Sequence, residues 1–230
     1  MPEKSKFWYL KHLNIFEGMP EEEMMKVEKM SSISTVKKRQ IIFFPEQPSQ
    51  LIFFLKEGHV KLSRVSEDGR EVILDVIGPG ELFGELSLLD ETEHRTEIAE
   101  ALDEVVICAI DKRDFEELLR RSPELNLQIT KRMGLRLRKF EERVSDLVFK
   151  DVKKRIASFL LRYAEEFGKM KKGIVTISPF LSHQEIAFLT ASARQTVTTT
   201  LNEMRGQGVI DFSRKGLIIN DLPKLQKIAR

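Results

Sequence analysis

From Val36 to Ile110 the apolar residues come in short β-branched or aromatic runs, each closed by turn residues. Ile41–Phe44, Leu51–Leu55, His59–Val65, Val72–Ile77 and Val105–Ile110 are predicted strands. Pro45–Pro48, Lys56-Glu57-Gly58, Glu67-Asp68-Gly69-Arg70 and Gly78-Pro79-Gly80 separate them. Strands recurring every roughly 8–12 residues predict an antiparallel sandwich or jelly roll. Gly58 and Gly69 fall where hairpins need positive φ. Ahead of the strands, Pro20 followed by Glu21, Glu22 and Glu23 opens a helix whose first turn favours negative charge.

Beyond Ile110 the spacing becomes helical. Asp111 can cap a helix with Phe115, Leu118 and Leu119 on its apolar face. Ser122-Pro123-Glu124 opens a longer one, running to about Phe149. On it Met133, Leu137, Phe140, Val144 and Leu147 recur at alternating four- and three-residue spacing, a coiled-coil seam that predicts a dimer. Packing of this stripe back onto the β domain is the alternative. Asp151 reads as hinge and N-cap of a helix over Val152–Glu166, Gly168 to Gly173 as a basic linker, and Ile174–Ile177 as a short strand.

Ser182-His183-Gln184-Glu185 is a capping box opening a short helix to about Leu189. Thr190-Ala191-Ser192 makes a tight turn, with Ser192 as the expected cap of a second helix over Ala193–Gln207. Val197, Leu201 and Met204 form its core face, while Arg194, Gln195, Thr196, Thr198 and Thr199 occupy its N-terminal turns. Two helices joined by so short a turn predict a helix-turn-helix, whose second helix enters the major groove. Arg can bond guanine and Gln adenine through two hydrogen bonds each; a Thr can reach a base edge or a phosphate. His183 and Ser182 lie where a phosphate would pass. Val209–Phe212 and Leu217–Ile219 form a hairpin with a basic tip, Arg214-Lys215, beside the DNA backbone.

Charge sharpens this division. From Lys150 onward there are 15 Lys/Arg and 7 Asp/Glu, a net +8, whereas the preceding residues carry 23 and 29, a net −6. Only the basic part is suited to a polyanion. No apolar run approaches the roughly 18 residues a membrane span needs, and residues 1–16 do not read as a secretory signal. The single cysteine, Cys108, cannot form an internal disulfide and cannot hold an iron–sulfur cluster, so a cytoplasmic protein is expected. No nucleophile–base pair, P-loop or zinc spacing points to an enzyme or a metal site.

Phe83-Gly84-Glu85-Leu86-Ser87-Leu88, with Arg95-Thr96 ten residues after Glu85, resembles the phosphate-binding cassette of cyclic-nucleotide domains. Arg194-Gln195-Thr196-Val197 is similar to the start of the recognition helix in the cyclic-AMP receptor/FNR family. The resemblance covers almost the whole chain. It implies an α+β fold: an N-terminal double-stranded β-helix (jelly roll) over 1–121, a dimerisation helix and hinge over 122–150, and a winged helix-turn-helix over 151–230. It implies a homodimer acting on double-stranded DNA in a near-palindromic operator, with RNA polymerase as a further partner. No cofactor is required; the implied effector is cyclic AMP or another cyclic nucleotide.

In such a cassette Arg95 would grip a cyclic phosphate and Thr96 add a hydroxyl. Amides around Gly84–Leu86 would face the anion, and Glu85 would accept from a ribose 2′-hydroxyl. The plainer alternative is a Glu85–Arg95 ion pair in an empty roll. Two departures from the family stand out. Glu97 replaces a small residue after Arg95-Thr96, and Phe140 and Glu141 stand where the cyclic-AMP receptor holds adenine with a Thr-Ser pair. Phe140 could stack on a purine and Glu141 accept from an amino group.

Overall fold

The structure, a computed structural model, describes Phe16 and residues 19–48, 50–88, 94–178, 180–213 and 216–230. Two compact units emerge, one up to Arg70 together with Leu74–Arg136, the other Glu71–Ile73 with Leu137–Arg230.

Apart from Glu71–Ile73, the first unit carries helix α1 (Glu21–Met30) and strands β1 (Ser31–Val36), β2 (Ile41–Phe43), β3 (Leu51–Glu57), β4 (Val60–Val65), β5 (Glu71–Ile77), β6 (Leu82–Phe83), β7 (Ile98–Ala101) and β8 (Val105–Asp111). Sheets of order β1-β8-β3-β6 and β2-β7-β4-β5 make the predicted jelly roll. Successive side chains on a strand point to opposite faces, and β3 uses both. Phe53 and Leu55 join Phe43, Leu62, Phe83, Ala99 and Ile107 in the core between the sheets. Ile52 and Phe54 join Met24, Val27, Phe115, Leu118, Leu125 and Ile129 beneath the helices. A strand buried on both faces reads as an unbroken apolar run, which is why Leu51–Leu55 is so legible. The polar β1 is not among the predicted strands: only Ser31 of its six residues is buried, and its register is set by β8.

Asp111 accepts the Arg113 N–H at the start of α2 (Lys112–Arg121). The long helix α3 (Pro123–Phe149) follows. Its first turns close the roll's outer core through Leu125 and Ile129, and Met133 packs against the same cluster. Part of the predicted seam therefore serves the chain's own core, as the alternative reading expects. Leu137, Val144 and Leu147 are 60%, 59% and 47% exposed.

The second unit holds α4 (Val152–Phe167), β9 (Gly168–Lys171), β10 (Ile174–Ile177), α5 (His183–Leu189), α6 (Arg194–Gly206), β11 (Ile210–Ser213), β12 (Gly216–Ile219) and α7 (Leu222–Ala229). Asp151 caps α4 by accepting the Lys154 N–H. The expected basic linker at 168–173 is instead strand β9, paired with β10 through Lys172-Gly173 at φ 51° and 80°. These two positive φ values suit a tight hairpin turn. Gly-Lys-Met-Lys carries no alternating pattern because β9 is an edge strand with three of its four residues exposed. Ile156, Leu160, Ile186, Val197, Leu201, Met204, Leu217 and Leu225 are buried in this unit.

Candidate functional site

The roll pocket is built from the bottom up by three phenylalanines. Phe83 stacks on Phe53 with ring centroids 5.1 Å apart, and Phe53 on Phe43 at 5.7 Å. The Arg95 guanidinium lies over Phe43, 4.0 Å from the ring centroid, and donates to the Leu51 carbonyl at 2.6 Å. Gly84 has φ +79°, and a Cβ there would meet Arg95 Nη1 at 2.8 Å, so the close approach of the guanidinium to the backbone needs glycine. Phe43, Gly84, Leu86, Ser87, His94, Arg95, Thr96 and Glu97 line the pocket, all in the first unit.

Arg95 is 8% exposed and makes no ion pair with a carboxylate among the described residues. Burial pushes its pKa down to about 10, with Glu97 and Glu85 acting the other way. The Glu85–Arg95 ion pair, the plainer alternative, is not formed. Glu85 Oε1 instead accepts from Arg136 Nη1 at 2.7 Å, and Arg136 also reaches Asp75 at 3.1 Å and the Leu82 carbonyl. Burial works against the Arg136 charge, but Glu85 and Asp75 outweigh it and hold its pKa above the ordinary value. Glu85 Oε2 is buried with no hydrogen-bond partner among the described residues. The Thr96 hydroxyl accepts from Arg64 at 2.9 Å, leaving its own proton to give.

Arg136, which holds the cassette's Glu85 in place, is not among the residues the sequence singles out. Its only signal there is its place on a helix; its partners lie 51 to 61 residues away. Phe140 and Glu141 belong to the second unit. The Phe140 ring faces the Arg143 guanidinium at 5.6 Å, and Glu141 is exposed.

In the second unit α5 and α6 form the helix-turn-helix. Ser182 accepts the Glu185 N–H while Glu185 accepts the Ser182 N–H, the predicted capping box. The expected cap on α6 is corrected: the N-cap residue is Ala193, with no side-chain bond, and the Ser192 hydroxyl pairs with Thr190 Oγ1 at 2.8 Å instead. Arg194, Gln195, Thr196 and Thr199 are exposed at the start of α6, while Val197, Leu201 and Met204 are 0% exposed beneath them. Arg214 and Lys215 lie outside the described residues. Lys153, a further basic residue of this unit, is paired with Glu203 at 2.8 Å.

Thr198 is half-buried and already engaged. Its hydroxyl donates to the Arg194 carbonyl at 3.0 Å and lies 2.8 Å from His183 Nδ1. A hydroxyl has one proton, so Nδ1 must be the donor. Burial, followed by the nearby Arg194 charge, lowers the His183 pKa below its ordinary 6.5. A histidine with a depressed folded pKa contributes stability above its unfolded pKa and loses it as pH falls. Between pH 7.5 and 5.5 the wild type should therefore lose stability faster than His183→Gln, measured by urea unfolding at both pH values. Parallel losses would show that His183 keeps its ordinary pKa.

A β-roll with an arginine-floored pocket, followed by a long helix and a winged helix-turn-helix, defines a regulator that joins a small-molecule site to a DNA-reading helix. The cyclic nucleotide-binding domain family matches residues 33–122, and the Crp-like helix-turn-helix domain family matches residues 154–228. The chain is 30% identical over 221 residues to the CRP-like cAMP-activated global transcriptional regulator of Mycobacterium tuberculosis, covering 96% of this chain and 98% of that protein. It is 32% identical to the global nitrogen regulator of Nostoc sp., over 82% of this chain and 85% of that one. A CooA variant from Carboxydothermus hydrogenoformans superposes with a TM-score of 0.73 at 26% identity, over 88% of this chain and 89% of that one. The chain belongs to the Crp/Fnr family and is a DNA-binding transcription regulator. No helix among the described residues is long and apolar enough to cross a membrane.

Proposed function

We propose that this protein is a cytoplasmic homodimeric regulator in which a cyclic nucleotide, cyclic AMP or a close relative, binds the roll pocket and biases two recognition helices toward a near-palindromic operator. The observation that carries the ligand reading is Arg95, a nearly buried cation with no carboxylate partner among the described residues. Buried charges are ordinarily paired, and a cyclic phosphate would supply the missing anion. The unpartnered Glu85 Oε2 would accept a ribose 2′-hydroxyl, and Thr96 and the amides of Gly84–Leu86 would complete the phosphate contacts. Phe140 and Glu141 remain proposed base contacts. The ligand acts only through its unequal affinity for the two arrangements of the dimer.

The dimer reading rests on the apolar face left uncovered on α3: Leu137, Val144, Leu147, Val148 and Phe149 are all exposed. A second copy would bury them along the predicted seam with Met133 and Phe140. Ser182, His183, Arg194, Gln195, Thr196, Thr198, Thr199, Arg214 and Lys215 form the proposed DNA-facing set, with RNA polymerase as a further partner on promoter DNA.

Titration calorimetry with cyclic AMP and cyclic GMP, beside selection from random duplexes with and without nucleotide, tests the reading. Saturable heat and a ligand-dependent gain in operator affinity are expected. A regulator sensing a different ligand is the second reading, favoured by the extra carboxyl of Glu97 in the pocket; it predicts operator binding with no heat from either nucleotide. Arg194→Ala should weaken operator binding by about 1–3 kcal/mol and relax the choice of base at one position. Equal weakening on every sequence would reduce Arg194 to a phosphate contact.

A further inference from the structure

Glu97 is an acid in the lining of a pocket otherwise fitted for an anion. It lines the cavity beside Arg95, Thr96 and Gly84 and is 9% exposed. Burial and the like charge of Glu85 raise its pKa, against the pull of Arg64, Arg136 and Arg95. Each of those cations already has other work. Arg136 is held by Asp75 and Glu85, Arg64 donates to Thr96, and Arg95 lies on Phe43 and donates to Leu51. Among the described residues, Arg64, Arg95 and Arg136 all act on Glu97, while Glu85, Asp75 and Glu81 act on Arg136. Glu97 therefore places a carboxyl beside Arg95, so an anion drawn to the guanidinium also meets a like charge.

We infer that Glu97 is a specificity determinant of this pocket, limiting it to ligands whose anionic group carries a single negative charge and rejecting phosphomonoester and dicarboxylate dianions. The inference rests on Arg95 being the anion anchor proposed above. Coulomb repulsion scales with the ligand's charge. Removing the Glu97 charge therefore favours a dianion about twice as much, in free energy, as a monoanion.

The test uses the full chain at pH 7.5 with three probes: cyclic AMP as monoanion, and 5′-AMP and 2-oxoglutarate as dianions. Dissociation constants are measured by calorimetry for the wild type, Glu97→Gln, Glu97→Ala and Arg95→Ala. Glu97→Gln keeps the shape of the side chain, so a folding defect in Glu97→Ala leaves the test intact. The dianion-to-monoanion affinity ratio should rise on the order of tenfold in the Glu97 variants. If cyclic AMP binds but this ratio stays at its wild-type value, the inference is overturned and the cyclic-nucleotide reading stands. If cyclic AMP fails to bind any form while the dianions bind Glu97→Gln and not the wild type, the inference stands and that reading falls. Binding that survives Arg95→Ala, or no binding of any probe to any form, overturns both.

Discussion

Arg136→Ala should destabilise the roll by about 3 kcal/mol, the lower range for breaking a buried ion pair by removing one partner. The Arg136 side chain is 14% exposed and bridges Asp75 and Glu85, themselves 21% and 13% exposed. Without it two carboxylates share a poorly solvated site, and each raises the cost of ionising the other. Its bond to the Leu82 carbonyl is lost as well. The loss should shrink when Asp75→Asn and Glu85→Gln are added, because the stranded charges, rather than the missing methylenes, account for most of it. Equilibrium urea unfolding, with hydrogen exchange reporting on each unit separately, measures both effects. A single variant within about 0.5 kcal/mol of wild type would mean that the cluster adds nothing net.

Phe83→Ala should cost about 3–5 kcal/mol, the range for emptying a large buried aromatic site. Phe83 is fully buried, stacked on Phe53 at 5.1 Å and 6.1 Å from Phe43. Its ring packs against Phe43 and Phe53, the two rings over which the Arg95 guanidinium lies, so the cavity should loosen the anion site as well as the core. Phe83→Leu keeps most of the volume and should cost less than about 1.5 kcal/mol. Urea unfolding compares the two. Equal losses would point to the aromatic contacts, not to the void, as the stabilising factor.

These two sites differ in how they could be found. Phe83 is legible because it closes an apolar dipeptide next to the Gly-Glu of the cassette. Arg136 is not, since one arginine among several on a charged helix carries no local mark, and its partners come from strand β5 and the turn after β6. Glu97 is visible as a departure from the family pattern, but its burial among three arginines and Glu85 depends on the closed roll. The Ser192 cap is not formed: α6 begins after Ala193, one residue beyond the position expected, and the Ser192 hydroxyl lies against Thr190 Oγ1.

Taken alone, the chain determined whatever depends on neighbours within a few residues. Helix starts at Asp111, Asp151 and Ser182, the turns at Gly58 and Gly69, and the core stripe Val197, Leu201 and Met204 all follow from capping, backbone freedom and helical period. Tertiary structure alone decided which polar segments became strands. Both β1 and β9 have backbones whose hydrogen-bonding groups find partners only in β8 and β10, and burial gives neither an apolar pattern. It also decided which acid meets which base, because the charges of Glu85, Asp75 and Arg136 are brought together by a fold whose driving force is apolar burial elsewhere.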